Sequence, residues 1–252
     1  MNVLVFASRK GGSGKSTLAV LLAAHVYKLD QPCLLIDDDP QGSLTLWNEL
    51  REDAALPIKI VKRHIADVLK KAKRRGVEWV FIDTPPNASA CVIEAIEAAT
   101  LAVIPCRPGL FDIDAVQETI ALSRAARTPY AVVLNGAAAK RDGVESPAVC
   151  AARQCLGGLG VPVWGGQVTH RASFALNLTR GEGAQNFDAD AGSAAEIARL
   201  WSAIEKSVAV INGASDKAAM HRFAAECMIR KSGGRFSEKI MYQQKIGQAV
   251  HL

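Results

Sequence analysis

The sequence predicts an α/β fold in which helices flank a doubly wound, mostly parallel sheet. Short, continuously apolar segments of strand length recur between Val3 and Trp164, and segments with the composition of helices separate them. Strands that alternate with helices of roughly 10 to 15 residues are typical of parallel sheets with right-handed crossovers. Two apolar segments end in aspartates and one ends in a glycine-rich loop. Because ligands bind at the carboxyl ends of parallel strands, the same pattern indicates a ligand site.

The individual elements follow from the same pattern. The first strand leads through the glycine-rich loop into a helix at residues 17–29, which is rich in alanine and leucine and ends before Pro32. We predict further strands at 33–36, 58–61, 77–83, 101–105, 130–135 and 161–164. We predict further helices at 43–55, 65–75, 89–99, 144–156 and 194–208. Most of the strands are apolar throughout, as expected where both faces of a sheet are buried.

The length and the charge distribution of the chain indicate its domain organisation. Of the 252 residues 49% are hydrophobic, which is enough for one large domain with a buried core. We predict this domain over residues 1–212, a linker at 212–215, and a basic extension over 213–252 that contains a helix at 217–231. The extension holds seven Lys and Arg against three Asp and Glu, so it carries +4 of the net charge of +5. Such a helix packs on its own domain, contacts nucleic acid or a partner, or binds a membrane.

Hydrophobic targeting segments and paired cysteines are both absent from the sequence. No segment approaches the ~20 consecutive apolar residues of a membrane-spanning helix, and the N-terminus enters a strand instead of a signal peptide. We therefore expect a cytoplasmic protein. The six cysteines include no CxxC pair, and Cys33 and Cys106 lie in apolar strand segments, which indicates structural thiols.

The glycine-rich loop has the composition of a phosphate-binding site. Its glycines permit backbone angles closed to other residues, so that amide N–H groups converge on phosphate oxygens at the positive end of the following helix. Lys15 would contact the β- and γ-phosphates, and the Ser16 hydroxyl would bind Mg²⁺. Nucleotide binding is predicted for Gly11, Gly12, Ser13, Gly14, Lys15, Ser16 and Thr17.

Aspartates at the ends of two strands complete the predicted site. Asp37 and Asp39 follow the second strand, and Asp83 ends the fourth. A hard cation that keeps most of its waters needs carboxylates, so Asp83 is predicted to hold the Mg²⁺ water shell with Ser16. For the aspartates after the second strand, capping of the next segment is the other interpretation.

These motifs resemble those of a known family. The loop reads KGGSGKST, with Arg9 where the strict Walker pattern has glycine and an additional lysine, Lys10, before the glycine pair. The aspartate segment reads DDDPQGS, and Asn135 ends a later strand. Together they resemble the ParA/MinD family of P-loop ATPases with a deviant Walker A motif. The likeness covers residues 1 to about 208 and is greatest to ParA-type partition and positioning ATPases.

The resemblance implies a dimeric ATP hydrolase with Mg²⁺ as cofactor and with weak intrinsic activity. Lys10 would reach the nucleotide of the other subunit, and Asp39 would orient the attacking water. Asp37 would support the magnesium shell, and the Asn135 amide would contact adenine; turn capping is the other interpretation of Asn135. The implied catalytic residues are Lys10, Lys15 and Asp39, and the implied metal-site residues are Ser16, Asp37 and Asp83.

The resemblance also implies partners. The ATP-bound homodimer would bind nonspecific DNA of the nucleoid, and a ParB-like or other adaptor protein would stimulate hydrolysis and release, so that a plasmid, a chromosome or another cargo is positioned. DNA contact is implied for Arg153, Arg171 and Arg180, with surface ion pairs as the other interpretation. The cations at the end of the 65–75 helix either complement the helix dipole or contact DNA.

Two other classes of ATPase share the loop. A MinD-like membrane-cycling ATPase would use the extension as a membrane helix, but the apolar face of that helix is short of Leu, Phe and Ile. An electron-transfer ATPase of the nitrogenase iron protein type needs two cysteines per subunit at the dimer interface. Cys91 follows Asp83, but no second cysteine occurs between Cys33 and Cys91.

Overall fold

The computed structural model describes residues 1–50, 56–60, 64–172 and 191–213. Its strands are β1 (Asn2–Phe6), β2 (Cys33–Asp37), β3 (Ile58–Ile60), β4 (Trp79–Asp83), β5 (Leu101–Cys106), β6 (Tyr130–Ala137) and β7 (Val168–Thr169). Its helices are α1 (Lys15–Lys28), α2 (Ser43–Leu50), α3 (Ile65–Arg74), α4 (Ala90–Ala98), α5 (Leu110–Ala125), α6 (Pro147–Gly158) and α7 (Ala191–Gly213). In the described part of the chain, no helix is long and apolar enough to span a membrane.

The strands form one sheet in the order β3-β2-β4-β1-β5-β6-β7. Every strand pair is parallel, so the predicted fold class is confirmed, and the sheet described is parallel throughout. β1 lies at the centre, between β4 and β5. All the strands therefore end at one edge of the sheet, and the glycine-rich loop lies in the middle of that edge.

Helices cover both faces of the sheet. Alternate residues of β1 divide between two apolar cores: Leu4 and Phe6 belong to the core that includes α1 and α7, and Val3 and Val5 to the core that includes α3 to α6. Burial on both faces explains why the strand segments are continuously apolar. On the first face, Trp201 of α7 makes an edge contact with Trp79 of β4 at 4.5 Å between ring centroids.

The strand predicted at 161–164 is wrong. Val163 forms only an isolated bridge to Val132, and the seventh strand is β7, a segment that the sequence pattern missed. Pro162 has no N–H to donate. The segment is joined to β6 by two backbone hydrogen bonds: the Pro162 carbonyl accepts from the Val132 N–H, and the Trp164 N–H donates to the Val132 carbonyl. The chain then joins β6 further along its length, where Val168 pairs with Asn135.

The last described helix is longer than predicted. α7 runs to Gly213, so the first two residues of the predicted linker are helical. Ile211 stays buried against the same core as Ile204 and Val208, and this extends the apolar face beyond residue 208. Asn212 donates to the Asn2 side chain at 2.8 Å. Residues 214–252, including the predicted helix at 217–231, lie outside the described residues, and the domain boundary stays a prediction.

Helix α2 covers only part of the helix predicted at 43–55, and residues 51–55 are outside the description. Helix α6 begins later than predicted, at Pro147, because Ser146 caps it and accepts from the Val149 N–H at 3.4 Å. Burial raises the pKa of the Cys33 and Cys106 thiols to about 12, which agrees with their interpretation as structural thiols.

Candidate nucleotide-binding site

The tightest point of the loop is Gly14, which precedes α1. Its backbone is left-handed, with φ of 99°, a conformation that favours glycine. A Cβ at this position would lie 2.0 Å from Nδ2 of Asn135, so no larger residue fits without displacing that side chain. The loop therefore requires glycine here both for its backbone angle and for the close approach of β6.

Asn135, at the end of β6, forms a hydrogen bond to the backbone of the loop. Its Nδ2 donates to the Ser13 carbonyl at 2.7 Å, and the side chain is buried at 8% exposure. The observed contact is structural, because it ties the end of β6 to the phosphate loop. Contact of the amide with adenine stays a prediction. With Nδ2 bound to Ser13, Oδ1 is the acceptor available for such a contact.

The two lysines of the loop occupy different environments. Lys15 is 6% exposed, and its Nζ donates to the Lys10 carbonyl at 3.4 Å. Burial lowers the pKa of Lys15, and the negative charges of Asp83 and Asp39 act in the opposite direction. Lys10 is half-buried and its Nζ lies 5.9 Å from the centre of the Phe111 ring. One lysine thus lies inside the loop and the other outside it.

Asp83 is fully buried at the end of β4. The Ser16 hydroxyl lies close to this carboxylate, but no donor among the described residues makes a hydrogen bond of good geometry with either oxygen. Burial raises the pKa of Asp83 to about 7, and the Ser16 hydroxyl and the Lys15 ammonium offset part of the increase. A buried, unpaired carboxylate next to a hydroxyl is a donor set that fits a hard cation such as Mg²⁺. Asp83 and Ser16 are therefore the residues that could hold it.

Asp37 lies opposite Asp83 on the neighbouring strand, but its oxygens already have partners. Oδ2 accepts from the backbone N–H and the hydroxyl of Thr45, at 2.9 and 2.7 Å. Oδ1 accepts from the Asp39 N–H at 3.3 Å. Asp37 thus binds the first turn of α2, which is the capping interpretation, and support of a magnesium shell by Asp37 stays a prediction.

Asp39 is the aspartate of this segment whose charge acts on Lys15. Its Oδ1 accepts from the Gln41 N–H at 2.9 Å, and the side chain is half-buried. Its charge contributes to the pKa values of both Lys15 and Asp83, so it lies within electrostatic reach of both. The structure therefore brings Lys15, Ser16, Asp39 and Asp83 together at one edge of the sheet.

Helix α5 also contacts the loop, and sequence reasoning missed this. The Arg9 N–H donates to the Thr119 hydroxyl at 3.3 Å, and the Arg9 guanidinium pairs with the Glu118 carboxylate. Phe111, at the start of the same helix, lies next to Lys10. These residues are about 100 positions from the loop, and no spacing rule connects them to it.

Two of the three arginines predicted to contact DNA are ion-paired. Arg153 donates to both oxygens of Glu145, at 2.8 and 2.9 Å, and also to the carbonyls of Trp164 and Gly166. Arg171 pairs with Glu196 at 3.2 Å. The ion-pair interpretation therefore describes both residues in this structure. Arg180 lies outside the described residues, and DNA contact by any of the three stays a prediction.

The cations at the end of α3 differ from Arg153 and Arg171 in being exposed to solvent and in having no ion-pair partner in the described ranges. Ile65, Leu69 and Ala72 face the core, and the cations are all exposed: Lys70, Lys71, Lys73, Arg74 and Arg75. No ion pair joins them to an acid in the described ranges. Because α3 runs antiparallel to the strands, these cations lie at the sheet edge opposite the glycine-rich loop.

Comparison with known proteins places the chain in a family. Residues 4–246 match the family model described as the CobQ/CobB/MinD/ParA nucleotide binding domain. The chain belongs to this family. The resemblance inferred from the loop, the aspartates and Asn135 is therefore confirmed, and the chain is a member of a nucleotide-binding P-loop family.

Relatives within this family include partition and positioning proteins. Protein ParA of Rhizobium radiobacter is 36% identical over 115 residues, which are 44% of this chain and 51% of that protein. Maintenance of carboxysome distribution protein A of Gloeobacter kilaueensis is 36% identical over 120 residues, 47% of this chain and 55% of that protein. The chain thus spans about half the length of these relatives.

A solved structure has the same fold. The MinD cell division protein of Aquifex aeolicus matches with a TM-score of 0.63 and 19% identity, over 81% of this chain and 97% of that one. At this identity the likeness concerns the fold alone.

Proposed function

We propose that the chain is a ParA-like ATPase whose ATP-bound dimer binds DNA without sequence preference. A partner protein stimulates hydrolysis of ATP and so releases the dimer from DNA. The cycle serves the partition of a plasmid or chromosome, or the positioning of another cargo, in the cytoplasm on the nucleoid. The observation that carries the proposal is the division between the two loop lysines, one buried in the loop and one directed away from it.

The buried part of the loop supports phosphoryl chemistry. Lys15 neutralises charge on the phosphates, and the N–H groups before α1 add the positive end of the helix dipole. Asp83 and Ser16 hold Mg²⁺, which supplies further charge compensation when bound. Asp39 is near Lys15 and one of its oxygens has a backbone partner, so it is fixed in place with the second oxygen available to a water molecule.

The position of Lys10 supports a dimer. Its backbone belongs to the loop, but its side chain extends outward to Phe111 instead of into the phosphate site that Lys15 occupies. A cation on the outer surface of the loop is placed to act on a nucleotide held by a second subunit. Hydrolysis then depends on dimerisation, and ATP binding and dimerisation stabilise each other.

The end of α3 supports DNA binding. Five exposed cations within six positions, without acidic partners in the described part of the chain, have the charge distribution of a phosphate-contacting surface. They lie at the sheet edge away from the loop, so a dimer joined through the loop edge leaves both copies exposed. Two weak sites on one particle bind a polymer more tightly than one, which makes DNA binding depend on ATP.

The Lys10→Ala variant tests the proposal. With a non-hydrolysable ATP analogue and Mg²⁺, the wild-type chain should form dimers in sedimentation velocity experiments. Lys10→Ala should keep its nucleotide dissociation constant within a few-fold and remain monomeric at the protein concentration at which the wild-type chain is dimeric. Lys206→Ala, which removes an exposed lysine of α7, is the control and should dimerise normally. Dimerisation of Lys10→Ala at wild-type affinity would contradict the proposal.

A cosedimentation assay and an absorption spectrum distinguish the proposed function from the membrane-cycling and electron-transfer classes of ATPase. In ATP, cosedimentation with duplex DNA and not with vesicles of anionic phospholipid supports the proposal, and the reverse result supports a MinD-like membrane ATPase. A visible absorption band of an iron–sulfur cluster in protein purified without oxygen would support the electron-transfer class.

A further inference from the structure

Helix α5 holds the first two residues of the phosphate loop. Thr119 accepts the Arg9 N–H at 3.3 Å, and Glu118 pairs with the Arg9 guanidinium. Phe111, two turns nearer the start of the helix, has the Lys10 ammonium 5.9 Å from its ring centre. Contacts with α5, the helix that follows β5, therefore help to position Arg9 and Lys10.

The backbone of Lys10 is fixed on both sides. Its N–H donates to the Ser8 hydroxyl at 3.3 Å, and its carbonyl accepts from the Lys15 ammonium at 3.4 Å. The remaining freedom lies in the side chain, whose rotatable bonds give a free lysine many orientations. The Phe111 ring selects among them, because a cation is attracted to the face of an aromatic ring at this distance.

Phe111 itself is unusually exposed for a phenylalanine. Its side chain is 76% accessible, and that of the preceding Leu110 is 75% accessible. Neither residue thus contributes much to the core. The difference that matters for Lys10 is that Phe111 presents an aromatic ring to its ammonium, whereas Leu110 has no ring.

We propose that Phe111 is a positioning residue for Lys10: its ring holds the ammonium on the outside of its own loop, ready for the nucleotide of a second subunit. The inference rests on the proposed function, in which Lys10 acts across the dimer. In the free subunit the contact reduces the orientations that Lys10 must give up on dimerisation. Phe111 therefore favours the dimer without touching the nucleotide.

The test measures the dimer dissociation constant with a non-hydrolysable ATP analogue for single variants and for the same variants in a Lys10→Ala background. A cation–π contact at an exposed site is worth about 2- to 5-fold, and each dimer contains two of them. Phe111→Ala and Phe111→Leu should therefore weaken dimerisation by about 4- to 25-fold. Phe111→Tyr, which keeps the ring, should behave as wild type. Leu110→Ala is the matched control for loss of exposed apolar surface and should also behave as wild type.

Nucleotide affinity of the monomer and the midpoint of thermal unfolding should be unchanged in the single Phe111 and Leu110 variants, because both side chains are exposed. At protein concentrations at which Lys10→Ala still dimerises measurably, adding Phe111→Ala to it should change nothing further. The proposal is overturned if Phe111→Leu matches wild type, if Leu110→Ala weakens dimerisation as much as Phe111→Ala, or if the effect persists without Lys10. If Lys10→Ala alone dimerises normally, the proposed function fails instead.

Discussion

Asn135 and Ser13 are joined by a hydrogen bond of 2.7 Å that ties the end of β6 to the phosphate loop. We predict that Asn135→Ala weakens nucleotide binding and lowers the free energy of unfolding by about 1 to 3 kcal/mol, since a buried carbonyl loses its partner. Chemical denaturation without nucleotide and calorimetric titration with it measure the two effects. Unchanged affinity and stability would show that the loop holds its shape without β6.

Gly14 offers a second test of the same contact. Gly14→Ala should abolish nucleotide binding, because the new Cβ would lie 2.0 Å from the Asn135 amide and the backbone angle is left-handed. In an Asn135→Ala background the collision is removed but the backbone strain remains. The two substitutions should therefore destabilise the chain by less together than the sum of their separate effects, and additive losses would contradict the close approach.

Asp39 and Asp37 should differ in what their removal does. We predict that Asp39→Ala retains a stable ATP dimer but hydrolyses ATP about 10²- to 10⁴-fold more slowly, the usual effect of losing a positioned acid–base group. Asp37→Asn should instead lower the free energy of unfolding by about 1 to 3 kcal/mol, since it disturbs the hydrogen bonds to Thr45. Steady-state hydrolysis and denaturation curves separate the two. Hydrolysis by Asp39→Ala at the wild-type rate would assign the water-orienting role elsewhere.

The Glu145 and Arg153 pair predicts a pH dependence of stability. The Arg153 guanidinium lowers the pKa of Glu145 by hydrogen bonding, with a further contribution from Lys140. The native pKa is thus below the unfolded value of about 4.3, so the pair stabilises the fold above that pH and the stabilisation disappears as the pH falls through the native pKa.

Glu145→Gln should accordingly be less stable than wild type by about 1 to 3 kcal/mol near neutral pH. Denaturation curves between pH 7 and pH 3 should show the difference shrinking below about pH 4. A difference that stays constant over this range would mean that the carboxylate charge contributes nothing.

The sequence was sufficient to predict the position of a residue where that position depends on its neighbours in the chain. The glycines, Lys15 and Ser16 belong to one loop, and Asp83 ends a continuously apolar strand, so local composition placed each of them correctly at the same sheet edge. The partners of Arg153, the support of the loop by Asn135 and the contacts of α5 depend on how distant segments pack. Residue types alone do not determine which arginine finds an acid, and spacing does not connect Phe111 with Lys10.

The basic end of α3 gives the last prediction, which concerns DNA. Lys70→Gln combined with Arg74→Gln removes two exposed cations one helical turn apart. Because each phosphate contact releases counterions and both subunits of the dimer lose two cations, the slope of log affinity against log salt should fall by about 0.9 per lost contact, or roughly 3.6 in total, for every DNA sequence.

The matched control removes two exposed cations from α7, on the opposite face of the sheet, with Arg199→Gln and Lys206→Gln. Both double variants have the same net charge, so a general effect of charge would change both slopes equally. We expect the α7 variant to keep the wild-type slope and the α3 variant to lose affinity at all salt concentrations near the physiological range. Equal losses in the two variants would mean that α3 is a solvated helix end whose cations only complement the helix dipole.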